Sequence, residues 1–171
     1  LINLPAIKEH GEGGWVLNVA SMAGMMGMPY AAAYCASKAA VVSMTESWVP
    51  ELKPFGIHTS VLCPAFVKTR IHESYRNRQQ KYAVAAEKRI DKEKLKAGAQ
   101  AATKAVESGI DASVLAERVI EALQSEQTYI YTHPNYRKVT TARFNAIDSA
   151  FVDAEQSQAV GHLIDDEIVT F

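Results

Sequence analysis

The chain has 171 residues, of which 48% are hydrophobic and 22% charged, with a formal net charge of −1. That length is enough for one domain with a hydrophobic core, and near-neutrality gives no electrostatic reason to expect nucleic acid or an anionic membrane as a partner. No apolar run approaches the ~20 residues that a membrane span needs, and no basic segment leads into an apolar stretch as in a secretion signal. Cys35 and Cys63 are the only cysteines. Both sit in apolar contexts and read as reduced thiols used as small hydrophobes, so a cytoplasmic protein is expected. The first residue is Leu rather than Met, and a longer protein is expected upstream.

In chain order, residues 1–10 read as the end of a helix, stopped at His10-Gly11-Glu12-Gly13-Gly14. Trp15 to Ala20 is a short apolar run bounded by glycine and Ser21, the pattern of a buried strand. Ser21 to Pro29, rich in Gly and Met, reads as a loop. A helix is predicted from Tyr30 to about Lys53, stopped by Pro54 and Gly56. Ile57 to Cys63 is a second strand, ended by Pro64. Strand, helix and strand with short links make a βαβ unit, which implies neighbouring parallel strands and a right-handed crossover.

Residues 70–107 are polar, helix-prone and free of proline, and from Lys68 to Lys96 ten Lys/Arg stand against four Asp/Glu. They read as solvated helices that can also form a mobile lobe over a substrate. Gly109-Ile110-Asp111 opens a further helix, with Asp111 or Ser113 as N-cap and Val114, Leu115, Val119, Ile120 and Leu123 as its apolar stripe. Thr128 to Thr132 is a third strand, closed by His133-Pro134-Asn135. A final helix is expected over roughly Tyr136 to Val160, followed by a weakly patterned tail with Asp165-Asp166-Glu167.

Three places carry chemistry. Ser21 follows the first strand directly and so lies at its C-terminal end, where open α/β sheets bind ligands. Tyr34 stands near the start of the next helix, with Lys38 four residues later on the same face. Pro64 to Thr69 follows the second strand. A free tyrosine titrates near pH ~10, too high for proton transfer at neutrality, but an ammonium one helical turn away favours the phenolate. A serine hydroxyl can hydrogen-bond an oxygen that changes between alcohol and carbonyl. No side chain accepts hydride, so a site of this kind needs a cofactor.

A Tyr/Lys pair at this spacing is common by chance; its position after a buried strand, with a serine at the strand end, makes it specific. His58, His72 and His133 are scattered without metal-ligand spacing. Met25, Met26 and Met28, with Phe66, Tyr75 and Tyr82, either line an apolar substrate pocket or, for the methionines, fill core gaps. The helix of Tyr34 is apolar around much of its circumference (Ala36, Ala39, Ala40, Val41, Val42, Met44, Trp48, Val49), which predicts burial on more than one side.

Trp15 to Thr69 closely resembles the short-chain dehydrogenase/reductase family in its ordinary, non-extended branch. Asn18-Val19-Ala20-Ser21-Met22-Ala23-Gly24 resembles the family's serine-bearing strand end. Tyr34-Cys35-Ala36-Ser37-Lys38 matches its Tyr-x-x-Ser-Lys signature, thirteen residues after Ser21. Pro64 to Thr69 resembles its Pro-Gly-x-Val-x-Thr segment, with Ala65 in place of glycine. The resemblance implies an α/β fold, a doubly wound, Rossmann-like parallel sheet. It makes residues 1–171 the C-terminal catalytic part of one such domain, with a substrate lobe at about 70–107.

It further implies an NAD- or NADP-dependent oxidoreductase interconverting an alcohol and a carbonyl. Tyr34 would be the acid/base. Lys38 would hold the nicotinamide ribose and lower the tyrosine's pKa, and Ser21 would orient the substrate oxygen. Pro64, Ala65, the Val67 backbone and Thr69 would meet the cofactor's nicotinamide side, and Met22, Met28 and Phe66 would join Ser21 around a small-molecule substrate. The family's corresponding helix packs against its copy in another subunit, which implies a homodimer or homotetramer. The glycine-rich phosphate loop, the ribose selector and the tetrad asparagine of the family are expected upstream of Leu1, in an N-terminal βαβαβ half of about a hundred residues. Residues 64–82 and 109–151 are also similar, more distantly, to bacterial dehydrogenases of benzylic alcohols in lignin-type aryl ethers. Two alternatives stand beside this reading: a catalytically silent relative that binds or regulates, and an extended-branch epimerase or dehydratase.

Overall fold

A computed structural model of the chain describes residues 4–77, 79, 81 and 92–168. Helix α1 (Leu4–His10) leads into strand β1 (Gly14–Val19), helix α2 (Ala32–Leu52) and strand β2 (Ile57–Cys63). Beyond a 3-10 segment at Ile71–Asn77 follow α3 (Lys92–Glu107), α4 (Ala112–Gln124) and the short strand β3 (Tyr129–Tyr131). Tyr82, named above as a pocket candidate, lies outside the described residues.

The three strands form one parallel sheet in the order β1-β2-β3, with Gly14 opposite Ile57, Val19 opposite Leu62, and Ile130 opposite Leu62 on the far side. β2 is central, and all its residues but His58 are buried, as expected of a strand covered on both faces in a parallel sheet. On one face Val16, Leu52 and Ile57 form a cluster joined by Leu4, Ile7 and Trp48, so α1 and α2 cover this side. On the other, Leu62, Ala122 and Ile130 pack with Leu17, Leu115, Val119 and Leu123, which seats α4. Helices on both faces of a parallel sheet make the doubly wound, Rossmann-like layering.

Boundaries moved where local chemistry overrode periodicity. α2 starts at Ala32, not Tyr30, because Tyr30 adopts φ 63°, a left-handed conformation that cannot continue a right-handed helix. Among the described residues, α2 buries one face, through Cys35, Val42, Thr45 and Leu52.

Residues from Pro134 onward form a second compact unit. It holds a 3-10 turn at Pro134–Tyr136, helix α5 (Arg137–Glu155) and a 3-10 turn at Gly161–Asp165. α5 ends five residues short of the expected Val160. There Ser157 takes over the hydrogen bonding: its hydroxyl accepts the Ala159 amide at 3.2 Å and its carbonyl accepts the Gly161 amide at 2.8 Å. Among the described residues no helix is long and apolar enough to cross a membrane.

Candidate active site

β1 and β2 run parallel, so both chains leave the sheet at the same end. After β1, Ser21 caps the 3-10 turn Met22–Gly24, its Oγ accepting the Ala23 amide at 3.1 Å. That bond leaves the hydroxyl proton available to a further acceptor. The Met22 amide donates to the Pro64 carbonyl at 3.0 Å, which ties the segments after the two strands together beside Ser21.

The Cys63 thiol, at the end of β2, is fully buried. Burial pushes it up to about 11, with the Glu46 charge adding, while the Ser21 amide and the Lys38 charge pull the other way. A thiol reacts as its thiolate, so Cys63 should resist alkylation by iodoacetamide at neutral pH in the folded protein and label readily after denaturation. Labelling at equal rates in both states would contradict this environment.

α2 is held against the strand end by several side chains. Tyr34, in its first turn, is 42% exposed. One turn on, the Lys38 Nζ lies 5.9 Å from the Tyr34 ring centre and donates to the Val19 carbonyl at 3.2 Å. Farther along, Asn18 Nδ2 donates to Thr45 Oγ1 at 3.0 Å, and the Thr45 hydroxyl donates to the Val41 carbonyl at 2.7 Å. The Tyr129 hydroxyl donates to Glu46 at 2.5 Å; that bond, with burial, pushes the Tyr129 phenol up to about 12. The loop also touches the helix backbone. A Cβ on Gly24 would stand 2.7 Å from the Lys38 carbonyl oxygen, so only glycine allows this approach.

Downstream of β2, Val67 pairs with Ile110 in an isolated parallel bridge. The Lys68 amide donates to the Ile110 carbonyl at 2.9 Å and the Ile110 amide to the Phe66 carbonyl at 3.1 Å. Val67's own amide and carbonyl take no part in this bridge. Lys68 pairs with Asp111 at 3.0 Å, and Asp111, the N-cap of α4, makes no side-chain cap bond. Gly109 packs so closely that a Cβ would meet the Phe66 carbonyl oxygen at 2.5 Å. Thr69 Oγ1 accepts the Ile71 amide at 3.3 Å. Just beyond, Glu73 holds Arg70 at 2.7 Å and Arg76 at 2.6 Å, and the Arg70 hydrogen bond keeps its carboxyl below the usual range.

Ser21, Tyr34, Lys38 and the Pro64–Thr69 segment thus gather at the C-terminal end of β1 and β2. The remaining candidates divide. Met22 and Met25 are turned into the core, at 4% and 7% exposure, whereas Met28 and Phe66 are 38% and 42% exposed. Sequence reading passed over Asn18 and Thr45; the available signal was an asparagine inside an apolar strand, which needs a partner once half-buried. It also passed over Tyr30, fully exposed in its left-handed conformation. Among the described residues no three His, Cys, Asp or Glu side chains come together as metal ligands.

The sheet is parallel and covered on both faces, with a serine, a tyrosine and a lysine near its C-terminal edge, and residues 3–80 match the short chain dehydrogenase family. The chain belongs to that family. A CLA biosynthesis dehydrogenase/reductase of Lactiplantibacillus plantarum is 33% identical over 142 residues, 82% of this chain and 49% of the relative. The C alpha-dehydrogenase of Sphingobium sp. (strain NBRC 103272 / SYK-6) is 29% identical over 144 residues, 84% of this chain and 46% of the relative. A solved short chain dehydrogenase/reductase from Burkholderia phymatum, in complex with NAD, matches with a TM-score of 0.78 at 33% identity, covering 87% of this chain and 53% of the other. The chain spans about half the length of the curated relatives it matches.

Proposed function

We propose that the full-length protein interconverts an alcohol and a carbonyl by hydride transfer with NAD or NADP, using Tyr34 as the acid/base. The observation that carries this reading is the Lys38 ammonium, held by the Val19 carbonyl and beside the Tyr34 ring, at the same strand end as Ser21. The nicotinamide supplies hydride donation or acceptance when bound. The residues present fit it: Lys38, whose ammonium reaches the end of β1 beside the Tyr34 ring, would hold the ribose. The Val67 amide and carbonyl, unused by the bridge to Ile110, are available to a carboxamide. Pro64, Ala65 and Thr69 complete that edge.

On this reading Tyr34 Oη gives its proton to the oxygen of a carbonyl substrate, or takes the proton of an alcohol. The Lys38 charge stabilises the phenolate side of that exchange. Ser21, its lone pair engaged by Ala23, donates to the same substrate oxygen and keeps it in line with Tyr34. Met28 and Phe66, both partly exposed, offer apolar surface to the rest of a small-molecule substrate. The apolar circumference of α2 suits a second copy, in a homodimer or homotetramer.

The test is direct. Full-length protein with NAD or NADP and a panel of secondary alcohols, and the reverse with ketones, should show appearance or loss of reduced nicotinamide. Absence of turnover in both directions with both cofactors would overturn the proposal.

A further inference from the structure

We propose that Asn18 and Thr45 are positioning residues for the catalytic pair: their hydrogen bond sets where α2 sits along β1, and so where Tyr34 and Lys38 stand relative to Ser21. The inference rests on the proposed function above.

The geometry is a two-point attachment. Lys38 and Thr45 are seven residues apart on α2, close to two turns of 3.6 residues, so both face the sheet about 10 Å apart along the axis. Their strand partners are neighbours. Thr45 takes its bond from Asn18, and Lys38 gives its bond to Val19. One tie would let the helix pivot or slide. Two ties, at separated points on the helix and adjacent points on the strand, remove both freedoms. The lysine tie alone is weak in this respect, because a four-carbon stem with rotatable bonds keeps its contact while the helix shifts. The threonine tie is short and stiff. Thr45 is β-branched, fully buried, and its hydroxyl proton is already committed to the Val41 carbonyl at 2.7 Å, so the lone pair that Asn18 uses has a fixed direction.

Tyr34 lies one turn before Lys38, outside both ties, so a small rotation about Lys38 moves the phenol while the lysine keeps its contact. Asn18 belongs to the strand that ends at Ser21, and the Asn18–Thr45 bond therefore connects the serine's strand to the tyrosine's helix. Loss of the bond leaves Lys38 attached to Val19 while Tyr34 drifts from Ser21. A misplacement near 1 Å at such a site is worth up to ~100-fold in rate.

Two variants read this out in the full-length protein: Thr45→Val, which keeps the volume and removes the hydroxyl, and Asn18→Ala, which removes the donor and spares the Thr45–Val41 bond. Each should lower kcat on the order of tenfold with little change in substrate KM, a split that a loss of stability alone would not produce. Thr45→Ser should restore kcat. A folded variant of either kind with wild-type kcat, lowered only in Tm, overturns the proposal; so does failure of both variants to fold, which would make the pair a plain structural tie. Tyr34→Phe in the same assay separates the two levels. If it is inactive while Thr45→Val is unaltered, only the positioning role falls; if it stays active, the acid/base reading falls and takes this one with it.

Discussion

Replacing Tyr34 by Phe in the full-length protein should lower kcat by about 10²–10⁴, the usual contribution of a positioned proton donor or acceptor, while leaving the Tm and cofactor affinity near wild type. The substitution removes one oxygen from a side chain that is 42% exposed, so little packing is lost with it. Lys38 keeps its bond to the Val19 carbonyl, because that contact does not involve the phenol. The check is steady-state turnover alongside cofactor binding by fluorescence. A Tyr34→Phe variant with more than about a tenth of normal kcat would mean that the proton travels by another group, since the expected loss is at least 10²-fold.

The second large effect is expected at Gly24. An alanine methyl there would lie 2.7 Å from the Lys38 carbonyl oxygen, 2.9 Å from its carbon and 3.1 Å from Val42 Cγ2. Two of these are helix backbone atoms that cannot swing aside, so either the 3-10 turn or α2 must move. Overpacking of this kind costs about 1–3 kcal/mol, a Tm lower by roughly 5 °C for a protein of this size class. The chemical effect should be larger than the stability effect. The displaced turn begins at Ser21, and the displaced helix carries Tyr34 and Lys38, so the methyl acts as a wedge between the reacting groups. Gly24→Ala should therefore lose at least about tenfold in kcat. Wild-type Tm and kcat together would show that the turn and helix are not packed as described.

β2 was legible to the residue, because a run bounded by Gly56 and Pro64 and buried on both faces leaves no competing period. The places of Ser21 and Pro64 were legible for a related reason: strand ends in a parallel sheet are where the chain turns, and both residues announce such ends. What stayed hidden depended on long-range pairing. The Asn18–Thr45 bond spans 27 residues, and nothing local in either residue names the other. The inward turn of Met22 was equally invisible, since a loop rich in methionine fills a core or lines a pocket with the same composition. The start of α2 was misjudged because a left-handed tyrosine carries no sequence signal, unlike the glycine usually found there.

The Val67–Ile110 bridge has a consequence for how this protein could vary. It pins together two points 43 positions apart, with the Lys68–Asp111 pair as a rivet beside it. Everything strung between those points departs from and returns to one place. Closing a flexible stretch costs only about 0.6 kcal/mol more for each doubling of its length. The intervening residues can therefore be exchanged, lengthened or shortened as a cassette while the Ser21, Tyr34 and Lys38 scaffold stays as it is. On the proposed reading, with that stretch as a substrate lobe, grafting a related segment between Lys68 and Gly109 is a natural route to a new specificity on the same reaction.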